Sequence, residues 1–372
     1  MMEHKMANSN QMIRPRQGIL SIPLYIGGKS KSKLMANPMK LSANENPYGP
    51  SDKAVEVFMQ CQKNLGVYPD GNHTALRNAI ADTMRIDEKR IICGAGSDEL
   101  INFVCQCYAT RGDEVIHTEH GFAMYRISSL VVGATPVPVP EINRHADIDG
   151  IIRACNDHTK IIFLANPNNP TGTLIKSADL NKLIDRIPEH ILLVLDEAYA
   201  EYIENFESGL KLVDTKSNVF VTRTFSKIYG LGSLRVGWGY GPGHVIEALQ
   251  RVKGPFNISS VGQEVATAAI KDQEYVEKCR QENLDLKLHL ADALHKINIP
   301  SDPSFTNFLL LRFSNCRVAK LADEFLQING ILVRNVSNYG LENGLRVSIG
   351  TSSDCEKVIK TLTEFQEISH GV

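Results

Sequence analysis

Lys227 lies in the stretch Thr222-Arg-Thr-Phe-Ser-Lys-Ile-Tyr-Gly-Leu-Gly-Ser-Leu-Arg235, between the apolar run Val219 to Val221 and a glycine-punctuated segment. One chemistry uses such a set. In it the amine of Lys227 would form a Schiff base with pyridoxal phosphate, and Thr224, Ser226 and Arg235 would hold the cofactor phosphate. Arginine suits that task because its planar fork donates two parallel hydrogen bonds to phosphate oxygens. The other reading is a solvated surface lysine, and the stretch alone divides evenly between the two.

A pyridoxal phosphate enzyme also needs a carboxylate for the pyridine nitrogen, donors to the ring oxygen, an anion cradle and a grip on a substrate carboxylate. Asp196 closes the apolar run Ile-Leu-Leu-Val-Leu, at the buried end of a strand, where an unpaired carboxylate is costly and a protonated ring nitrogen would be its partner. Taken in isolation, an aspartate there reads more readily as a helix N-cap after a strand. Asn169, in Asn-Asn-Pro-Thr-Gly, and Tyr199 could donate to the ring oxygen, although the first also reads as a turn former and the second as core. Phe122 could stack on the ring or simply pack. Gly94-Ala-Gly-Ser-Asp-Glu99 joins an apolar strand to a helical pattern, which leaves backbone N–H groups free to meet an anion, although a bare turn of this kind is more often a plain connection.

These residues require elements that bring them together. Strand-like segments at Ile91–Cys93, Glu114–Thr118, Thr135–Val139, Lys160–Leu164, Ile191–Leu195, Val219–Thr222 and Val236–Tyr240 alternate with helical patterns. Such alternation predicts a largely parallel sheet covered on both faces, with sites beyond the strands' C-terminal ends. The informative residues fall after strands: Asn166 to Gly172, Asp196 to Tyr199, and Thr224 to Lys227. Beyond about residue 255, long helices at Ser259–Ile270 and Asp272–Lys296 precede short strands at Phe308–Phe313, Ile331–Arg334 and Gly344–Ile349, an α+β texture. The reading is an arm (1–40), a large α/β domain (41–255) and a smaller α+β domain (256–372).

With 372 residues, the chain has room for two such bodies. A formal charge of −2 gives no field for nucleic acid or an anionic membrane. The eight cysteines are scattered without metal-ligand spacing and predict reduced thiols in a cytoplasm. His117 and His120 lack a second ligand cluster, so no metal is expected. The N-terminal stretch has no signal-peptide core, and the apolar runs are too short to span a bilayer.

Asn44-Glu-Asn-Pro-Tyr-Gly, Tyr68-Pro-Asp, Gly94-Ala-Gly-Ser-Asp-Glu, Asn166-Pro-Asn-Asn-Pro-Thr-Gly, Asp196-Glu-Ala-Tyr, Arg223-Thr-Phe-Ser-Lys, Gly237 and Leu345-Arg-Val-Ser-Ile-Gly-Thr together resemble the histidinol-phosphate aminotransferase branch of fold-type I pyridoxal phosphate enzymes, in that family's order. The resemblance implies that Lys227 is the Schiff-base lysine and proton shuttle. Asp196 would bind the pyridine nitrogen, Asn169 and Tyr199 the phenolic oxygen, and Phe122 the ring face. Gly96, Ser97, Asp98, Ser226 and Arg235 would take the phosphate, with Thr224 nearby. Tyr68 would reach the partner's cofactor phosphate across a homodimer with shared sites. Tyr25, Asn44 and Arg334 would meet the substrate, Arg334 at a distal phosphate, and Arg346 would pair with an α-carboxylate.

The implied reaction is ping-pong transamination, L-histidinol phosphate with 2-oxoglutarate giving imidazole-acetol phosphate and L-glutamate. Relatives with the same motifs act on phenylalanine, tyrosine or prephenate, and Asn335 stands where the family commonly has an acid. A decarboxylase on the same scaffold is a further alternative. A cofactor-binding regulator is a more distant one, since the residues before the first motif show no DNA-binding pattern.

Overall fold

The computed structural model describes residues 13–32, 35–62 and 65–370; the remainder of the sequence-defined arm, 1–12 and 33–34, lies outside the described residues. A seven-stranded sheet forms its centre, in the spatial order Ile91–Gly94, Gly237–Tyr240, Val219–Thr224, Leu192–Asp196, Thr159–Ala165, Glu114–Thr118, Thr135–Val139. All neighbouring pairs are parallel except those made by Gly237–Tyr240, which runs against both of its neighbours. The central strands Leu192–Asp196 and Val219–Thr224 are buried at every position. Helices cover both of their faces, which is why they read as unbroken apolar runs rather than alternating ones.

Beside a core that covers one face of the seven-stranded sheet, built on Ile92, Leu100, Val104, Phe163 and Leu249, two further large cores divide the chain. The first lies on the other face of this sheet and takes in Leu164, Leu195 and Val221 with the helices Asp52–Cys61, Thr74–Met84 and Ser260–Lys271. The second packs helices Cys316–Ile328 and Ser352–His370 against a three-stranded antiparallel sheet, Phe308–Arg312, Gly344–Ser348 and Arg334–Asn335. Helix Gln273–Lys296 enters both: Val276 and Cys279 belong to the first core, Leu290 and Leu294 to the second. Helix Ser260–Lys271, although it follows residue 255, buries Val265, Ala266 and Ile270 in the first.

The single strand expected at Ile331–Arg334 is two strands. Ile331–Leu332 pairs in parallel with Met39–Lys40, and Arg334–Asn335 pairs with the strand bearing Arg346. The chain changes partner at Val333, and periodicity cannot register this because one partner, Met39–Lys40, lies at the other end of the chain while the other, Leu345–Arg346, follows closely. The same pairing gives residues at the end of the expected arm a strand that sequence did not suggest, and Leu41 sits in the second core.

Candidate active site

Three neighbouring parallel strands end side by side. Thr159–Ala165 runs into Asn166 to Gly172, Leu192–Asp196 into Tyr199, and Val219–Thr224 into Ser226 and Lys227. Their C-terminal ends open on a cavity of about 260 Å³, closed on the far side by Arg334 and Arg346 from the smaller sheet and by Tyr25, Gly27 and Gly28 from the N-terminal segment.

Asp196 stands at the floor, 5% exposed. Tyr125 donates to its Oδ2 at 2.8 Å and Thr222 to its Oδ1 at 3.0 Å. Burial pushes the carboxyl up to about 6, opposed by these two hydrogen bonds to its charged form. Lys227 is half-buried; its amine donates to the Ala43 carbonyl at 3.4 Å and lies 5.6 Å from the Tyr199 ring centre. Burial first, then the like charge of Arg346, brings it down to about 8. A lysine in that range supplies an uncharged amine close to neutrality, as a proton acceptor or nucleophile requires.

Beside them is an anion cradle. Gly96 adopts φ 81° at the start of helix Ser97–Tyr108, a left-handed conformation that glycine takes without a steric penalty. A Cβ there would come within 2.3 Å of the Arg235 guanidinium. At Gly237, which lies between Gly94 and Thr224 in the sheet, a Cβ would stand 2.5 Å from the Ser97 nitrogen. Backbone and arginine thus approach closely because both glycines are bare. Arg235 donates to Ser226 Oγ at 3.0 Å and to Asp98 Oδ2 at 3.1 Å, and the Glu99 carboxylate accepts from the Ala95 N–H, closing the turn. The N–H groups and dipole of the helix terminus add to the positive field.

On the opposite wall, Arg346 donates to Asn169 Oδ1 and to the Ser42 carbonyl, while its Nε is buried without a partner. Arg334 donates to the carbonyls of Ile26 and Gly27. Both guanidiniums are buried in the second half of the chain yet line the first half's cavity. Asn44, at φ 55°, donates through Nδ2 to the Tyr199 hydroxyl at 2.9 Å and is tied to Ser348 through its backbone and side chain. Lys227, Arg235, Arg334 and Arg346 face only the carboxylates of Asp98 and Asp196 in this lining, so the cavity is built for anions.

Fourteen of the residues singled out from sequence are among those lining the cavity. Gly96 lies just behind it, under Arg235. Tyr68 is elsewhere, 80% exposed and stacked on Phe256 with ring centres 4.7 Å apart. Sequence reasoning missed Tyr125 and Thr222, which bond Asp196, and Ser42, whose carbonyl holds Arg346. Strand alternation from Thr224 could have found Thr222, and helical spacing from Phe122 could have found Tyr125. Nothing in a side-chain pattern marks a carbonyl.

The family model for aminotransferases of class I and II matches residues 36–362, so the chain belongs to that family. Similar proteins include the histidinol-phosphate aminotransferase of Cereibacter sphaeroides, 51% identical over 96% of this chain and 99% of that one. The enzyme of the same name from a Ruegeria species is also 51% identical, over 95% and 98%. Among solved structures, the histidinol-phosphate aminotransferase of Sinorhizobium meliloti in complex with pyridoxal-5'-phosphate superposes with a TM-score of 0.90 at 24% identity, covering 96% of this chain and 99% of that one. The two-part α/β architecture expected for fold-type I enzymes is therefore the observed one. No helix among the described residues is long and apolar enough to cross a membrane.

Proposed function

We propose that this chain transaminates L-histidinol phosphate with 2-oxoglutarate, giving imidazole-acetol phosphate and L-glutamate, with pyridoxal phosphate as cofactor. The observation that carries the reading is the pair of buried arginines, Arg334 and Arg346, facing Lys227 across one cavity. The relatives that are half identical over nearly the whole chain share that activity in name. The two arginines divide the work by chemistry. Histidinol phosphate carries a phosphate but no carboxylate, and 2-oxoglutarate carries carboxylates but no phosphate. Arg334 serves the distal anion, assisted by Tyr25 and Asn44 near the substrate, and Arg346 serves the α-carboxylate of the oxo acid.

The residues present fit the cofactor: a bare-glycine cradle with Arg235 and Ser226 for a phosphate, and a buried carboxylate in want of a cation. Gly96, Ser97, Asp98, Thr224, Ser226 and Arg235 hold the phosphate; Asp196 meets the ring nitrogen; Asn169 and Tyr199 meet the ring oxygen; Phe122 covers the ring face. When bound, pyridoxal phosphate supplies an electron sink for the pair left as the donor's Cα–H bond breaks. Lys227 would hold the cofactor until a donor amine replaces it, and its Nζ would then take the α-proton and carry it from Cα to the cofactor carbon that the amine joins. Tyr25, Gly27 and Gly28 of the N-terminal segment line the same cavity.

The same reading extends to assembly. The exposed apolar residues Phe58, Met59, Val67, Tyr68 and Phe256 support a homodimer in which Tyr68 reaches the partner's cofactor phosphate. The large and small domains meet within helix Gln273–Lys296, where the two cores exchange, and the segment before residue 40 is an arm. Among the described residues every cysteine is free, in keeping with a cytoplasmic enzyme.

The test is glutamate formation from 2-oxoglutarate by the cofactor-loaded protein, offered histidinol phosphate, phenylalanine, tyrosine or prephenate's amino acid counterpart in turn. A preference in kcat/KM for histidinol phosphate of about 10²-fold, the worth of one buried charge pair, is expected. Faster turnover of an aromatic amino acid would move the substrate and keep the reaction.

A further inference from the structure

The geometry points to Tyr125 as a positioning residue that holds the Asp196 carboxylate charged and aimed at the cofactor's ring nitrogen. This rests on the reading that Asp196 meets that nitrogen. A carboxylate has two oxygens and about four acceptor directions. Tyr125 takes one on Oδ2 and Thr222 one on Oδ1, which pins the carboxylate plane and leaves one direction on each oxygen for a group in the cavity that Asp196 lines.

The tyrosine cannot turn away. It is 1% exposed, its ring lies against Phe163 with centres 4.8 Å apart and planes within 2°, and its edge contact with Phe122 has centres 5.8 Å apart at 89°. Phe122 itself lines the cavity. One side chain therefore ties together the carboxylate under the ring nitrogen and the aromatic beside the ring. The strand bearing Thr222 is registered directly opposite Asp196, so the second donor is fixed by the sheet, and Tyr125 is the donor that side-chain packing supplies.

The two donors also set charge. A hydrogen bond to the ionised form favours it, while burial works the other way, and Asp196 stands between these influences. Removing one donor tips the balance toward a neutral carboxyl, which offers a ring cation much less. Tyr125 makes no contact with the wall carrying Arg334 and Arg346 that any described hydrogen bond records, so its removal acts on cofactor binding and turnover rather than on substrate affinity.

The experiment uses Tyr125→Phe, which keeps the ring and its stacking. Asp196 is titrated by carbon NMR in cofactor-free protein labelled at aspartate, with Asp196→Asn identifying the signal, and the pyridoxal phosphate dissociation constant is measured separately. The titration is expected to move up by about one pH unit and cofactor binding to weaken by about tenfold, with KM for donor and oxo acid unchanged. An unmoved titration in Tyr125→Phe overturns the proposal. Should that variant fail to fold, difluorotyrosine at position 125, a stronger donor, is expected to move the titration down, and an unmoved signal there overturns the proposal equally. If Asp196→Asn binds the cofactor as the parent does, the underlying reading of Asp196 fails instead, whatever the Tyr125 titration shows.

Discussion

The two walls of the cavity are built in different ways. On the wall proposed to hold the cofactor, Asp196, Thr224, Ser226 and Lys227 come from the ends of adjacent strands in one sheet, and Asp196 is bonded by its register partner Thr222. On the substrate side, Arg334 and Arg346 come from a second sheet, and their guanidiniums are met by carbonyls of Ile26, Gly27 and Ser42 and by Asn169, all from distant segments. The first wall is fixed by strand pairing within one core. The second depends on how two cores and the N-terminal segment meet. A scaffold arranged this way keeps its reaction while its substrate changes, because altering the second wall leaves the first in register.

That contrast is open to breaking. Lys227→Met removes the group that binds the cofactor and moves the proton, and glutamate formation is expected to fall about 10⁴-fold or more. Survival of a tenth of the activity would place the chemistry elsewhere. On the other wall, Arg334→Met is expected to cost about 10²-fold in kcat/KM for histidinol phosphate, mainly through KM, with the pyridoxal phosphate dissociation constant unchanged. A matching loss of cofactor affinity would show that the walls are not separable.

Stability sharpens the same point, because a cavity shaped for reaction holds groups that folding alone disfavours. The folded pKa of Lys227 is lowered to about 8 from an ordinary 10.5. Between those values the unfolded chain binds the proton and the folded one does not, so acidification through this window favours unfolding, and the loss is complete below about pH 8. In cofactor-free protein, Lys227→Met should therefore be more stable at pH 7, by about 3 kcal/mol at most, with the gain shrinking as pH rises from 8 toward 10.5. Denaturant unfolding of both proteins at pH 7 and pH 10 measures it; a gain that does not shrink would assign it to packing. The smallest effect expected is from Tyr68→Phe, a severalfold faster loss of cofactor from the assembled protein, with each subunit's own cavity unaltered. An unchanged rate would remove Tyr68 from the shared site.

Much of the site was legible in the sequence because residues on strand ends travel with their strands. Asn169, Asp196, Tyr199 and Lys227 each follow an apolar run, and parallel strands place such ends side by side. Tyr125 and Thr222 went unread although helical spacing from Phe122 and strand alternation from Thr224 reach both, since spacing puts a hydroxyl on the right face without telling a partner of aspartate from a packed side chain. Arg334 was legible as a strand residue but not as the start of a separate strand: at Val333 the chain passes from the distant Met39–Lys40 to the nearby strand bearing Arg346.

By itself the sequence determined the alternation of strands and helices, the placing of Lys227 and of the Gly94–Glu99 turn at strand ends, and the family, because these depend on local propensity and on motifs contiguous in the chain. Only the tertiary structure decided that Arg334 and Arg346 face Lys227, that helix Ser260–Lys271 packs with the large sheet, and that Asp196 is held by two hydroxyls. Each of these is a contact between segments far apart in sequence, and no local pattern encodes which distant surface a buried side chain will meet.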